Sequence, residues 1–333
     1  MTAEAAQQHN AIICIDRWEP DESLYENGYY PEGAREKAVY LSPGNVAGLP
    51  IRPRWRYLFK KSRTWAPWQF WMEVIAYRLG QVIGVPVPPA YVGLSNLEKR
   101  GQAVHGALIE WFYGDDKLYV EGSRLISPQV PAFDYKQGRP HDLLTVLEIP
   151  LLAIGPDGKS NRRGLVRHWA KVLAFDTLIG NVDRHPDNWG ILLPRDAPDG
   201  SVRVSLSPAF DNGTAMSYEQ PEARFERFND PGYLDRYLAR PRKARHHMGW
   251  SPTESGDMSF FEFMRRFVSE FPWASADVLA CADFAARDLL AVAEPLAAIR
   301  VAGDSRLTRR RLDFTVKLIM RRRERLLSAL GKR

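Results

Sequence analysis

Asp183 and Asn188 stand five positions apart in Gly180-Asn-Val-Asp-Arg-His-Pro-Asp-Asn-Trp189, and Asp211 follows in Pro208-Ala-Phe-Asp-Asn-Gly213. A carboxylate such as Asp183 can orient a hydroxyl and accept its proton. An Asn carbonyl oxygen and an Asp carboxylate suit a hard cation such as magnesium, which takes oxygen ligands and completes its shell with phosphate and water. Together they could move the γ-phosphate of ATP, a reaction catalysed mainly by positioning and charge neutralisation. Asp and Asn are also common turn residues, because their side chains bond their own backbone. The combined spacing favours the catalytic reading. Asp187, between the ligands, reads as a turn residue. Arg184 would counter the charge of Asp183 or bind a phosphate. His185 has no second histidine at a ligand spacing, so it orders the loop or contacts a phosphate.

The neighbouring elements must bring these side chains together. Residues 163–179 repeat apolar side chains at helical spacing (Leu165, Trp169, Val172, Leu173, Phe175) and deliver the chain to Asp183. Residues 189–193 read as a strand, Pro194-Arg-Asp-Ala-Pro-Asp-Gly200 as a turn, and Val202, Val204 and Leu206 as a second strand. An antiparallel hairpin would set Asn188, before the first strand, beside Asp211, after the second.

Upstream, residues 54–61 read as a strand with Arg56, Leu58 and Lys60 on one face and Lys61 on the other. Residues 68–83 read as a helix whose Trp71, Ile75, Leu79 and Val82 form the apolar stripe; Gly84 ends it, and Pro86, Pro88 and Pro89 forbid its return. Glu73 falls roughly opposite that stripe, as an exposed Glu would. Residues 90–94 and 104–112 read as strands joined by a polar turn. Helices follow over 260–271, 274–298 (broken or kinked at Pro295) and 305–330. The expected fold class is α+β and bilobal, with a β-rich lobe over 1–112 and a mainly helical lobe over 113–333. The crossing is expected at 112–118, and the cleft there is a natural ligand site.

The chain has 333 residues, enough for two substantial cores, and its ten Trp residues favour a packed interior. A net charge of +6 suits anionic partners, nucleotide phosphates or nucleic acid alike. Cys14 and Cys281 are too far apart in sequence to suggest a disulfide framework or zinc cluster. Residues 1–10 are polar and unlike a signal peptide, and no run of eighteen apolar residues occurs, so we expect no membrane span and a cytoplasmic protein. The segment 212–250 holds Arg224, Arg227, Arg236, Arg240, Arg242, Lys243, Arg245, His246 and His247. It reads equally as a site for an acidic or phosphorylated group and as a solvated basic loop. Arg309, Arg310, Arg311, Arg321, Arg322, Arg323 and Arg325 crowd the last helix, whose default is a packed helix with a basic outer face. No helix-turn-helix or zinc-finger spacing accompanies them, so direct DNA binding is not expected.

Leu178-Ile-Gly-Asn-Val-Asp-Arg-His185 resembles the catalytic loop of the HipA-like serine/threonine kinases, and Leu206-Ser-Pro-Ala-Phe-Asp211 resembles their metal-binding segment. The phosphoinositide 3- and 4-kinases are a more distant likeness. Gly33-Ala-Arg-Glu-Lys-Ala-Val-Tyr-Leu41, Tyr57-Leu-Phe-Lys60 and the helix Glu73-Val-Ile-Ala-Tyr-Arg-Leu79 with Gly84-Val-Pro-Val-Pro88 are similar to the family's nucleotide-binding lobe. The resemblance covers 30–250 and is strongest over 175–213. It implies a protein-kinase-like fold, ATP and Mg2+ as cofactors, Asp183 as catalytic base, and Asn188 and Asp211 as metal ligands. It makes Lys60 the lysine that meets the ATP phosphates and Glu73 its partner, with Glu110 and Phe112 at the hinge beneath the adenine. His185 is placed with the nucleotide-binding residues. A Ser or Thr of a protein is the implied acceptor, with a toxin-type activity and an antitoxin-like partner by analogy. A lipid or small-molecule kinase, and a nucleotide-binding pseudokinase or nucleic-acid-associated regulator, are the alternatives. The family pattern is incomplete: no Gly-x-Gly-x-x-Gly occurs, and only Gly44 and Gly48 lie in a loop between candidate strands.

Overall fold

The computed structural model describes residues 11–22, 36–96, 103–196, 200–240, 243–254, 258–301 and 303–332. Residues 1–10, Gly33 to Arg35, most of the turn after Ser95, part of the turn before Gly200, and Arg242 lie outside the described residues. A six-stranded sheet comes first, built from β1 (Ile12–Cys14), β2 (Glu19–Pro20), β3 (Lys37–Leu41), β4 (Arg56–Lys61), β5 (Ala90–Ser95) and β6 (Val104–Glu110). Its order is β1-β5-β6-β4-β3-β2; β1 runs parallel to β5 and the other pairs are antiparallel. β4 is therefore a central strand, and its period-two alternation separates two faces. Tyr57 and Phe59 pack with Ile13, Trp18, Tyr91 and Leu108 on one side. Lys60, opposite Ala107 in register, faces the other.

That other face is covered by α1 (Trp71–Ile83), which packs on β5 and β6 and also on α8 (Ala286–Ala297). Being covered from two sides, α1 is buried almost all round. This overturns the expectation that Glu73 is exposed. The apolar stripe was read correctly, but the polar side of the helix is also inside, and Gln69, Glu73 and Arg78 are all buried. Gly84 ends α1 at φ +68, a left-handed conformation that glycine adopts without steric cost.

A second sheet joins β7 (Lys117–Glu121), β8 (Gly190–Pro194) and β9 (Ser205–Leu206). β7 was not foreseen. The expected hairpin is present as the antiparallel pair β8–β9, with Ile191 opposite Leu206. Its second strand is shorter than the alternation suggests, because Val204 donates its N–H to the Gly155 carbonyl instead and Val202 is exposed.

The helical part adds α2 (Gly122–Ile126), α3 (Leu143–Glu148), α4 (Arg162–Ile179), α5 (Pro231–Leu238), α6 (Phe260–Glu270), α7 (Ser275–Cys281), α8 and α9 (Arg309–Ala329). The expected helix over 274–298 is two helices, and the break lies at 282–285 rather than at Pro295. There Asp288 accepts the Ala285 N–H and starts α8 afresh, and Pro295 sits within the last turns of α8. α4 is the central helix, packed against α6, α7 and α9. No helix among the described residues is long and apolar enough to cross a membrane. The basic residues of α9 are largely absorbed by the fold. Arg309 pairs with Glu294 and Asp313, Arg310 with Glu226, and Arg321 with Asp235, while Arg311 and Arg322 are buried.

His246 is buried between Thr177 of α4 and the rings of Phe260 and Phe263. Burial, reinforced by Arg184 and Arg322, pushes its pKa down to about 3. The unfolded chain takes up this proton near the ordinary histidine value and the folded chain does not. The contribution is therefore complete above that value and is lost as pH falls toward 3. We expect the melting temperature to fall between about pH 7 and pH 5, and His246→Gln to make that fall shallower. Scanning calorimetry across the interval checks it.

Candidate active site

Lys60 enters from the centre of the sheet with only 3% of its surface exposed. Its ammonium donates to Glu73 Oε1 of α1 at 3.0 Å and to Asp211 Oδ1 at 2.5 Å. The other oxygen of Glu73 accepts the backbone N–H of Asn212 at 2.8 Å. One buried cation thus ties together a strand, a helix and the segment after β9. Asp211 has φ +54, in the left-handed region that Asp and Asn accept more readily than most side chains.

The loop from Gly180 to Asn188 is held from within. α4 ends at Gly180, whose φ of +68 turns the chain beside Arg322; a Cβ there would come within 2.6 Å of that guanidinium. Arg184 is the hub. It is 1% exposed, and its guanidinium forks onto Asp176 of α4 at 2.7 and 3.0 Å. It also donates to the carbonyls of Asn188 and Phe210 and to Asn212 Oδ1. Arg184 therefore joins the loop to the segment carrying Asp211. It is neither a surface phosphate ligand nor mainly a partner for Asp183. Asp183 donates its N–H to Asn181, whose amide reaches back to Asp176. Asn188 donates its side-chain N–H to the Asp183 carbonyl at 2.8 Å, which leaves the carboxamide oxygen as the atom suited to a cation.

Asp183, Asn188 and Asp211 are thus brought into one neighbourhood with Lys60 and Glu73. Burial pushes the Asp183 carboxyl above its ordinary range; His185 opposes this, Asp211 adds to it, and Arg184 and Lys60 oppose it again. Burial alone would lower the His185 imidazole, but Asp187, Asp183 and Asp211 together raise it. His185 accepts the Asp187 N–H within the loop.

Among the described residues no group of three His, Cys, Asp or Glu side chains is placed to hold a metal. The available donor set is one carboxylate, Asp211, and one carboxamide, Asn188. It suits magnesium, whose remaining ligands are commonly phosphate oxygens and water.

The two hinge candidates differ. Glu110 lies opposite Tyr57 in register, so its side chain faces away from Lys60 and is taken up by the Tyr57 hydroxyl at 3.0 Å and by Arg52. Only its backbone is on offer to a nucleotide. Phe112 stacks on Phe210 at 5.1 Å and meets Tyr119 edge-on, so it adjoins the residue before Asp211. Lys61, on the opposite face from Lys60, pairs with Glu36.

Asp176, Asn181 and Asn212 were missed as site residues. Asp176 did leave a signal: it falls on the apolar face of its helix beside Val172 and Leu173, where a carboxylate needs a buried partner.

A Helicobacter pylori proinflammatory kinase, CtkA, has a crystal structure that superimposes with a TM-score of 0.68 at 13% identity, covering 96% of this chain and 98% of that one. The chain has a kinase fold. Two looser likenesses are Shewanella oneidensis HipA, solved with HipB and operator DNA (TM-score 0.49, 14% identity, 97% and 74% covered), and a Golgi casein kinase with Mn/ADP bound (0.38, 11%, 97% and 75%). No protein-family model matches the sequence, and no curated protein does.

Removing Asp176 would leave the Arg184 charge buried without its partner. Asp176→Ala should destabilise the fold by about 3–5 kcal/mol, whereas Asp176→Ala with Arg184→Met should recover much of that loss. Urea denaturation of the two variants measures both effects.

Proposed function

We propose that this chain is an ATP- and magnesium-dependent kinase that transfers the γ-phosphate to a Ser or Thr hydroxyl of a protein. The observation that carries the reading is Lys60, buried and shared between Glu73 and Asp211 in a kinase fold. Residues 1–112 act in this reading as the nucleotide-binding lobe and 113–333 as the catalytic lobe.

Bound magnesium would be held by Asp211 and Asn188, and would neutralise phosphate charge and align the phosphates. The chain's own residues do the rest. Glu73 fixes the Lys60 ammonium at the cleft, where it can turn from Asp211 to the phosphates when nucleotide enters. Phe112 and the backbone at Glu110 border the nucleotide's base. Asp183 orients the acceptor hydroxyl and takes its proton; its raised pKa makes it a better acceptor than an exposed carboxylate. Arg184 keeps the loop in register with Asp211 without touching substrate. His185 steadies the turn that presents Asp183.

The Ser/Thr acceptor, the toxin-type role and an antitoxin-like protein partner are proposed on the likeness of the loop residues to HipA-like kinases. Direct DNA binding is not part of the proposal, because many of the arginines that would serve it on α9 are paired or buried.

With γ-labelled ATP and magnesium, the purified chain should label itself or an added protein on Ser or Thr, and a chelator should stop it. Asp183→Asn should lower the rate by roughly a hundredfold or more while leaving the melting temperature unchanged or raised. Lys60→Met should weaken nucleotide binding as well as transfer. Label in extracted lipid instead of protein would sink the protein-acceptor reading, and full activity in Asp183→Asn would remove the assigned base.

A further inference from the structure

Arg311, at the third position of α9, is 2% exposed. Its guanidinium carbon lies 3.9 Å from the Trp68 ring centroid and 5.1 Å from that of Phe225. Nη1 donates to the Gln220 carbonyl at 3.2 Å. Nε is 3.5 Å from the Glu222 carboxylate but not aligned to bond it, and Nε and Nη2 are buried without a hydrogen-bond partner among the described residues. Burial, opposed by Glu222, pushes this group down to about 10. A cation buried on such terms contributes less to stability than a well-packed apolar side chain of similar volume. Filling space does not account for it.

Its contacts do. The start of α1 and the segment after Asp211 are laced by polar contacts. Trp68 donates its indole N–H to the Tyr218 carbonyl at 2.7 Å, Gln69 donates to the Gly213 carbonyl at 2.9 Å, and Glu73 accepts the Asn212 N–H. Arg311 closes this lacing from α9. It lies on the Trp68 ring and holds Gln220 of the opposite segment. Thr308, the cap of α9, accepts the Arg311 N–H at 3.0 Å and donates to Glu222 at 2.6 Å. The Glu222 carboxylate is thereby seated at a helix N-terminus, where the backbone dipole favours negative charge.

We propose that Arg311 is a positioning residue for phosphoryl transfer: it clamps Trp68 against the 218–222 segment, and so keeps Glu73, and through it Lys60, in the site. This rests on the kinase reading above for its effect on rate, but the clamp is measurable without activity.

Arg311→Met keeps an unbranched, flexible side chain in the site and removes the charge and the guanidinium hydrogen bonds. It should keep the melting temperature or raise it. It should increase hydrogen exchange together in residues 68–76 and 212–222, by roughly threefold or more, with little change elsewhere. Phosphoryl transfer should fall roughly tenfold, chiefly in kcat rather than in the acceptor KM, and Arg311→Lys should recover part of it. In a Glu73→Gln background Arg311→Met should cost little further, since both act on the same lysine. Exchange that rises only in 212–222 and not at the start of α1, or losses from the two substitutions that simply multiply, would overturn the clamp. A wild-type chain that transfers no phosphate would refute the kinase reading, and the exchange pattern would still decide the clamp.

Discussion

An ammonium taken out of water must be met by opposite charge, and Lys60 obtains that charge from two places remote in sequence, Glu73 and Asp211. That requirement governs much of the architecture. β4 has to be an inner strand so that Lys60 points off the sheet face rather than into solvent. α1 has to lie across that face with its polar side inward. The segment after β9 has to return to the sheet, and the Asn212 N–H on Glu73 fastens it there. Removing Lys60 would leave the buried Glu73 carboxylate without its cation, typically at a cost of about 3–5 kcal/mol.

A second buried cation does for the loop what Lys60 does for the cleft. Arg184 spans Asp176, Asn188, Phe210 and Asn212. With it the loop that presents Asp183 and the segment that presents Asp211 form one connected polar network. Networks of this kind fix geometry well when their members are satisfied, because each bond is stronger away from water. Arg311 differs, since two of its guanidinium nitrogens lack hydrogen-bond partners among the described residues. A charge so poorly satisfied fits a residue kept for what it aligns rather than for stability.

The fold was legible where pattern and physics agreed over a long stretch. The helices expected over 68–83 and 163–179 appear as Trp71–Ile83 and Arg162–Ile179, with the Gly84 stop and the alternation of β4. Lys60 and Lys61 divide as strand alternation requires, one to the site and one to Glu36. The misreadings share a cause. Glu73 looked exposed because a helical wheel shows one apolar face, and only Lys60 of β4 and the Asn212 segment, brought in from elsewhere in the chain, cover the other. The sequence puts the break in 274–298 at Pro295, whereas α7 ends at Cys281 and Asp288 caps a new helix by accepting the Ala285 N–H. The side chain of Glu110 points away from the cleft because register, not residue type, chose its face.

By itself the sequence singled out the candidate side chains: Asp183, Asn188 and Asp211 stand out by residue type, and local turn chemistry keeps the first two close together. It also determined the helices and strands that carry them, because hydrophobic periodicity is a local property. Only the tertiary structure decided that Glu73 meets Lys60, that Arg184 turns inward to Asp176, and that Arg311 is enclosed by Trp68 and Phe225. The reason is burial. A charged residue reads as a surface residue until elements from elsewhere in the chain close over it, and its partner is then whichever opposite charge the fold has brought within reach.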